Sequence, residues 1–154
     1  MFKFCIWYTF NEIPFNKIIL RNANLFNTSS FKAHITIKSN IRSEKEAHLI
    51  AAKYANIKPT FQVYGPPIQT HTKIVNGIQL IDFYAIEQRL KINEFESPLH
   101  VSLAYSNKSF SDMEVGISNT DIPKNIYSKH LSVCVMNCWK HDPSQWYEVS
   151  KFNF

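Results

Sequence analysis

Residues 31–59 read FKAHITIKSNIRSEKEAHLIAAKYANIKP, and they carry a strand, a helix start and a helix stop in succession. Ile35 and Ile37 share one parity, while His34, Thr36 and Lys38 share the other. A strand sends successive side chains to opposite faces, so the isoleucines enter a core and His34, Thr36 and Lys38 line a polar face. The strand is expected over about 33–38. Ser43-Glu44-Lys45-Glu46 then has the capping-box pattern, with Ser43 as N-cap and Glu46 at N3. The helix it opens runs through His48, Leu49, Ala52 and Tyr54 to about Ile57, and Pro59 ends it.

Outward from this unit, residues 2–10 are aromatic and β-branched and read as a strand. Residues 11–26 place Ile13, Phe15, Ile18, Ile19 and Leu25 at helical spacing, with Pro14 in the first turn. Residues 60–64 read as a strand stopped by Gly65-Pro66-Pro67, with 77–83 as its pairing partner. His71, in PPIQTHTK, falls in the loop between them. A short helix is expected over 84–92 and a strand within SPLHVSLAYSN (97–107). A short helix and loop fill 107–125. Strands at 129–138 and 145–153 close the chain as a hairpin around His141-Asp142-Pro143-Ser144. The mixed order predicts an α+β fold built on largely antiparallel sheet, in one domain spanning 1–154. A strand, helix and HxS/T strand occur once in each half, a faint duplication that suggests two lobes.

Composition narrows the function classes. At 45% hydrophobic and 14% aromatic, the chain can bury a sizeable core. Only three glycines are present, and neither GxGxxG nor GKS/GKT occurs, which argues against glycine-built nucleotide loops. The net charge of +5 favours anionic partners, but the basic residues are scattered with no long run. Three cysteines without a CxxC pair fit free thiols in a reducing, intracellular setting, cytoplasm or nucleus. No apolar run approaches the roughly 20 residues that cross a bilayer, so no membrane partner is expected. No HExxH or paired Cys/His spacing suggests a metal site, and no GxSxG suggests a serine nucleophile. Neither metal nor cofactor is expected.

Three histidines have a hydroxyl residue two positions on: His34-Ile-Thr36, His100-Val-Ser102 and His130-Leu-Ser132. With 6 histidines and 21 serines and threonines in 154 residues, chance supplies roughly one such pair. On a strand, the i, i+2 spacing puts imidazole and hydroxyl on one face, about 6.5–7 Å apart. Two such strands side by side would offer two imidazoles and two hydroxyls to one phosphodiester. One ring would remove a proton from the attacking group and the other would protonate the departing oxygen. The hydroxyls would hold the non-bridging oxygens. His34 and His100 are each followed by a polar turn and a potential helix. His130 instead heads the long C-terminal strand, as a structural edge-strand start. Trp7 alternates with Tyr8 on the first strand, so one of them faces away from the core. Either Trp7 or Tyr105, three residues beyond Ser102, could stack on a base. Trp139 and Trp146 read as hairpin packing.

AHITIKSNI (33–41) and PLHVSLAYSN (98–107) resemble the paired motifs of the two-histidine phosphoesterase superfamily. FCIWYTF (4–10) and CWKHDPSQWYEVSKFNF (138–154) are similar to its cyclic phosphodiesterase branch from fungi and plants. The likeness runs end to end, with 60–95 the least similar part. It implies a bilobal fold of two antiparallel sheets flanking a central groove, with helices outside. It implies His34 and His100 as the acid/base pair and Thr36 and Ser102 as phosphate ligands. It also implies opening of a nucleoside 2′,3′-cyclic phosphate, or the cyclic phosphate of ADP-ribose, by a monomer without metal. Two other readings stay open: a phosphodiesterase acting on 2′–5′ oligoadenylates or cyclic oligonucleotide messengers, and a non-enzymatic RNA-end binding module. Sequence leaves open which histidine is the base.

Overall fold

The computed structural model of the chain describes residues 4–10, 13–57, 59–76, 78–92, 99–117, 122–126, 131–138 and 143–153. In chain order the elements are β1 (Phe4–Phe10), α1 (Ile13–Phe26), β2 (His34–Ile41), α2 (Glu44–Ala55), β3 (Phe61–Val63) and β4 (Ile68–Asn76). There follow β5 (Gln79–Lys91), β6 (Leu99–Ser106), α3 (Asp112–Ile117), β7 (Asn125–Ile126), β8 (Leu131–Asn137) and β9 (Tyr147–Asn153), with a 3-10 turn at Pro143–Gln145. The fold is α+β, and every described strand pair is antiparallel. No described helix is long and apolar enough to cross a membrane.

The described strands form one nine-stranded sheet, in the order β7-β3-β5-β6-β2-β1-β8-β9, with β4 also on β5. Where two sheets were expected, β2 and β6 join the halves through a single residue pair, Ile35 with Val101. Both side chains are fully buried. Their packing beneath the sheet holds the halves edge to edge where only one ladder step exists.

That core lies on one face. Ile6, Tyr8 and Phe10 of β1 meet Phe15, Ile18 and Ile19 of α1 and Ala47 and Ala51 of α2 in a single cluster with Ile35, Phe61, Ile86, Leu90, Val101 and Leu103. Tyr8 packs edge-on against Phe61 at 5.6 Å and Phe10 against Phe15 at 5.2 Å. Each such buried side chain is worth about 1.5–3 kcal/mol over leaving it exposed. The N-cap half of the capping box forms: the Ser43 side chain accepts the Glu46 N–H at 3.3 Å and fixes where α2 begins.

Four expectations are corrected. Where a helix was expected over 84–92, residues 84–91 belong to strand β5. Their sequence favours a helix, yet Ile86, Gln88 and Leu90 are fully buried at period two. Pairing on both edges, to β6 and to β3 and β4, overrides local propensity. Gln88 suits this place because its Nε2 donates to the Gly65 carbonyl at 2.9 Å. Residues 61–63 pair with the far end of β5 (Gln62 with Lys91) instead of with 77–83. The near end of β5 is taken by β4, so His71 is on a strand and not in a loop. Its ring stacks on Tyr84 at 4.3 Å and bonds Asp82 at 2.8 Å. Finally, Trp7 pairs with Thr36 but Ile6 with Lys38, a slip that breaks the alternation and parts the exposed Lys38 from the His34 face. The β8–β9 hairpin forms as expected. His130, Trp139, His141 and Asp142 lie outside the described residues.

Candidate active site

The two motifs occupy neighbouring strands at the middle of the sheet. His34 and Thr36 are on β2, and His100 and Ser102 are on β6. In an antiparallel pair one strand counts up as the other counts down. With Ile35 opposite Val101, the register therefore sets His34 against Ser102 and Thr36 against His100. Ile35 and Val101 point to the helices, so all four motif residues share the other face. The two imidazoles are close enough for the charge of His100 to bear on His34.

His34 is only 4% exposed. Trp7, whose partner in the ladder is Thr36, stacks flat on the imidazole with centroids 3.6 Å apart and planes 13° apart. Phe31 and Trp146 approach edge-on at 5.9 and 6.0 Å. Burial lowers its pKa from 6.5 to about 4; the bond to Lys32 partly opposes this, and His100 adds a small further decrease. The ring is neutral at pH 7. Its Nδ1 lies 2.7 Å from the Lys32 carbonyl. A carbonyl only accepts, so Nδ1 carries the hydrogen and Nε2 keeps the lone pair.

His100 is the more open ring, with 40% of its side chain exposed. Its Nε2 lies 3.4 Å from a Glu87 carboxylate oxygen, which also accepts from the Thr70 hydroxyl at 3.1 Å. Glu87 reaches this face because β5 is a strand: Glu87 pairs with Ser102 and Arg89 with His100. Ser102 is buried and hydrogen-bonded to the Tyr105 hydroxyl. Strict alternation would turn Tyr105 away from Ser102. The β5–β6 register slips between Ile86/Ala104 and Glu87/Ser102, leaving Leu103 as the extra residue and returning Tyr105 to the site face. Asn22 of α1 stabilises that bulge, donating from Nδ2 to the Leu103 carbonyl at 3.1 Å. Burial, opposed by Ser102 and reinforced by Glu87, holds the Tyr105 pKa well above its ordinary value. The phenol stays protonated, and between it and Ser102 one hydroxyl proton is left to offer. The Thr36 hydroxyl is half-buried and makes no hydrogen bond among the described residues.

Trp7 and Tyr105 both lie on this face, in unequal positions. Trp7 is 4% exposed and works as cover for His34 rather than an open platform. Tyr105 is half-buried, enclosed by Phe31 at 4.6 Å, Phe83 at 5.2 Å and Trp146 at 5.8 Å. Trp146 packs on Trp7 of β1 at 5.5 Å as well as beside Cys134 and Met136 of β8, the hairpin where its packing was expected, and so borders this face. Sequence reading missed Glu87 and Arg89, which a period-two reading of 84–91 puts on one face with no further information.

The cysteines on this face do not compete for the chemistry. Burial pushes the Cys134 thiol up to about 11, against a hydrogen bond from Thr9; its hydrogen bond to Glu148, at 3.2 Å, adds to the rise. Cys138 is raised by its hydrogen bond with Cys5 and then by burial. Both are thiols rather than thiolates at neutral pH, and a thiol is the weaker nucleophile. Among the described residues no group of three His, Cys, Asp or Glu converges as metal ligands. No family model matches the chain, and no curated protein matches it.

Proposed function

We propose that this chain is a cyclic phosphodiesterase that opens a nucleoside 2′,3′-cyclic phosphate with two imidazoles, in the manner of a two-histidine phosphoesterase with paired lobes. The pairing of Ile35 with Val101 is the observation that carries the reading. It is the register that gives each imidazole the other motif's hydroxyl as its neighbour, an arrangement suited to one tetrahedral phosphorus between them.

His34 acts as general base. It is neutral at pH 7, and its Nε2 lone pair is left free by the Nδ1 bond to Lys32. Nε2 takes a proton from water as the water oxygen bonds to phosphorus. An anionic phosphate beside the ring opposes the effect of burial and strengthens the base. Thr36 and the one free hydroxyl proton of the Ser102–Tyr105 pair donate to the non-bridging oxygens as charge builds there. His100 acts as general acid, giving its proton to the departing 3′ oxygen, so the product carries a 2′-phosphate. Glu87, fixed by Thr70, orients the His100 ring.

The test is turnover of 2′,3′-cyclic AMP, 2′–5′ oligoadenylate and a cyclic dinucleotide by purified protein, side by side, with and without EDTA. Hydrolysis of 2′,3′-cyclic AMP to the 2′-phosphate is expected, with EDTA harmless and each of His34→Ala and His100→Ala losing about a hundred- to ten-thousandfold in kcat, the range expected when a general acid or base is removed. Full activity in either variant would overturn the assignment. Binding of cyclic-phosphate ends without turnover would make the chain a binding module instead.

A further inference from the structure

We infer that the site takes nucleoside cyclic phosphates that carry a second phosphoryl group at the 5′ position, and that Arg89 is its ligand. This rests on the phosphodiesterase reading above and names the substrate class within it. Arg89 stands directly across from His100 in the β5–β6 ladder, on the face that holds the motifs. Its guanidinium lies over the Tyr64 ring, 5.4 Å from the centroid. The ring steadies it without satisfying its donors.

Among the described residues no carboxylate answers this charge. Arg89 has no ion pair and no side-chain hydrogen bond among the described residues, and its Nε is buried without an acceptor. The nearest acid along the strand, Glu87, spends one oxygen on Thr70 and His100. Lys91, two residues on at the same parity, is exposed and extends the positive track along β5. A half-buried guanidinium with an unmet donor costs free energy unless an anion arrives, and its planar fork matches a phosphate.

Spacing selects which anion. Neighbouring strands are about 4.8 Å apart, and the guanidinium reaches onward from β5 to Tyr64. A phosphate held between β2 and β6 is too far from Arg89 to share its own oxygens with it. The 5′ side of the same nucleotide reaches that far. A free mononucleoside cyclic phosphate leaves Arg89 unmet, while a 5′-phosphorylated nucleotide or an RNA 3′ end fills both places.

The test compares binding of adenosine 2′-monophosphate and adenosine 2′,5′-bisphosphate, by calorimetry, to wild type, Arg89→Gln and Arg89→Lys. Circular dichroism would check that each variant is folded. Wild type is expected to bind the bisphosphate about tenfold more tightly, the gain of one charge-assisted phosphate contact. The gap should vanish in Arg89→Gln and survive in part in Arg89→Lys. Equal binding of the two ligands by wild type, or a gap that persists in Arg89→Gln, would overturn the inference. Turnover of 2′,3′-cyclic AMP together with equal binding would sink the Arg89 subsite alone. Absence of both turnover and binding would sink the phosphodiesterase reading with it.

Discussion

The buried imidazole of His34 makes the protein sensitive to acid in a calculable way. In the unfolded chain this ring takes up its proton near pH 6.5; in the folded chain burial delays uptake to about pH 4. Above pH 6.5 both states hold a neutral ring and the difference has no effect. As pH falls through this window the unfolded state gains protons first, so stability is lost, and the loss is complete below pH 4. A gap of this size corresponds to about 3 kcal/mol in full, and to about 2.5 kcal/mol near pH 4.5. His34→Gln removes the titrating group and keeps an amide that can still donate to the Lys32 carbonyl. Urea unfolding of both proteins at several pH values between 7.5 and 4.5 measures the effect. The wild-type curve should fall toward the variant's by about 2–3 kcal/mol over that range, once other groups common to both cancel. Parallel curves would refute the reasoning, as would a His34 ring resonance that titrates above pH 6.

Two smaller perturbations test how the scaffold supports the site. Asn22→Leu leaves the Leu103 carbonyl at the β6 bulge without its donor, and about 1–3 kcal/mol should be lost in a urea melt. The same change should loosen Tyr105, seen as altered near-ultraviolet circular dichroism; an unchanged spectrum would mean the bulge holds itself. Ser43→Ala removes the α2 N-cap and should cost about 1 kcal/mol in the same melt, with turnover kept because α2 packs on the face away from the histidines.

Of the site, the residue types and their spacing were legible in the sequence, because a period of two is a property of a strand that needs no partner. AHITIKSNI and PLHVSLAYSN each announce a polar face behind a buried one. The N-cap at Ser43 was legible for the same reason, since a cap involves only residues near in the chain. Residues 84–91 mislead because A, E, Q, R, L and K favour a helix locally, and only ladders on both edges make them a strand. Glu87 and Arg89 went unread with them.

The order of residues is enough to specify the chemical inventory of this face: two imidazoles, each with a hydroxyl two residues on, set on strands whose other side is apolar. Tertiary structure alone decided that β2 and β6 are neighbours in one sheet and that Ile35 meets Val101. It decided also that one slipped residue at Leu103 turns Tyr105 inward, and that Trp7 closes over one ring while the other stays open beside Glu87. Alternation is local and survives in any strand. Register, bulges and burial depend on partners distant in the chain, and it is burial that makes the two histidines unequal.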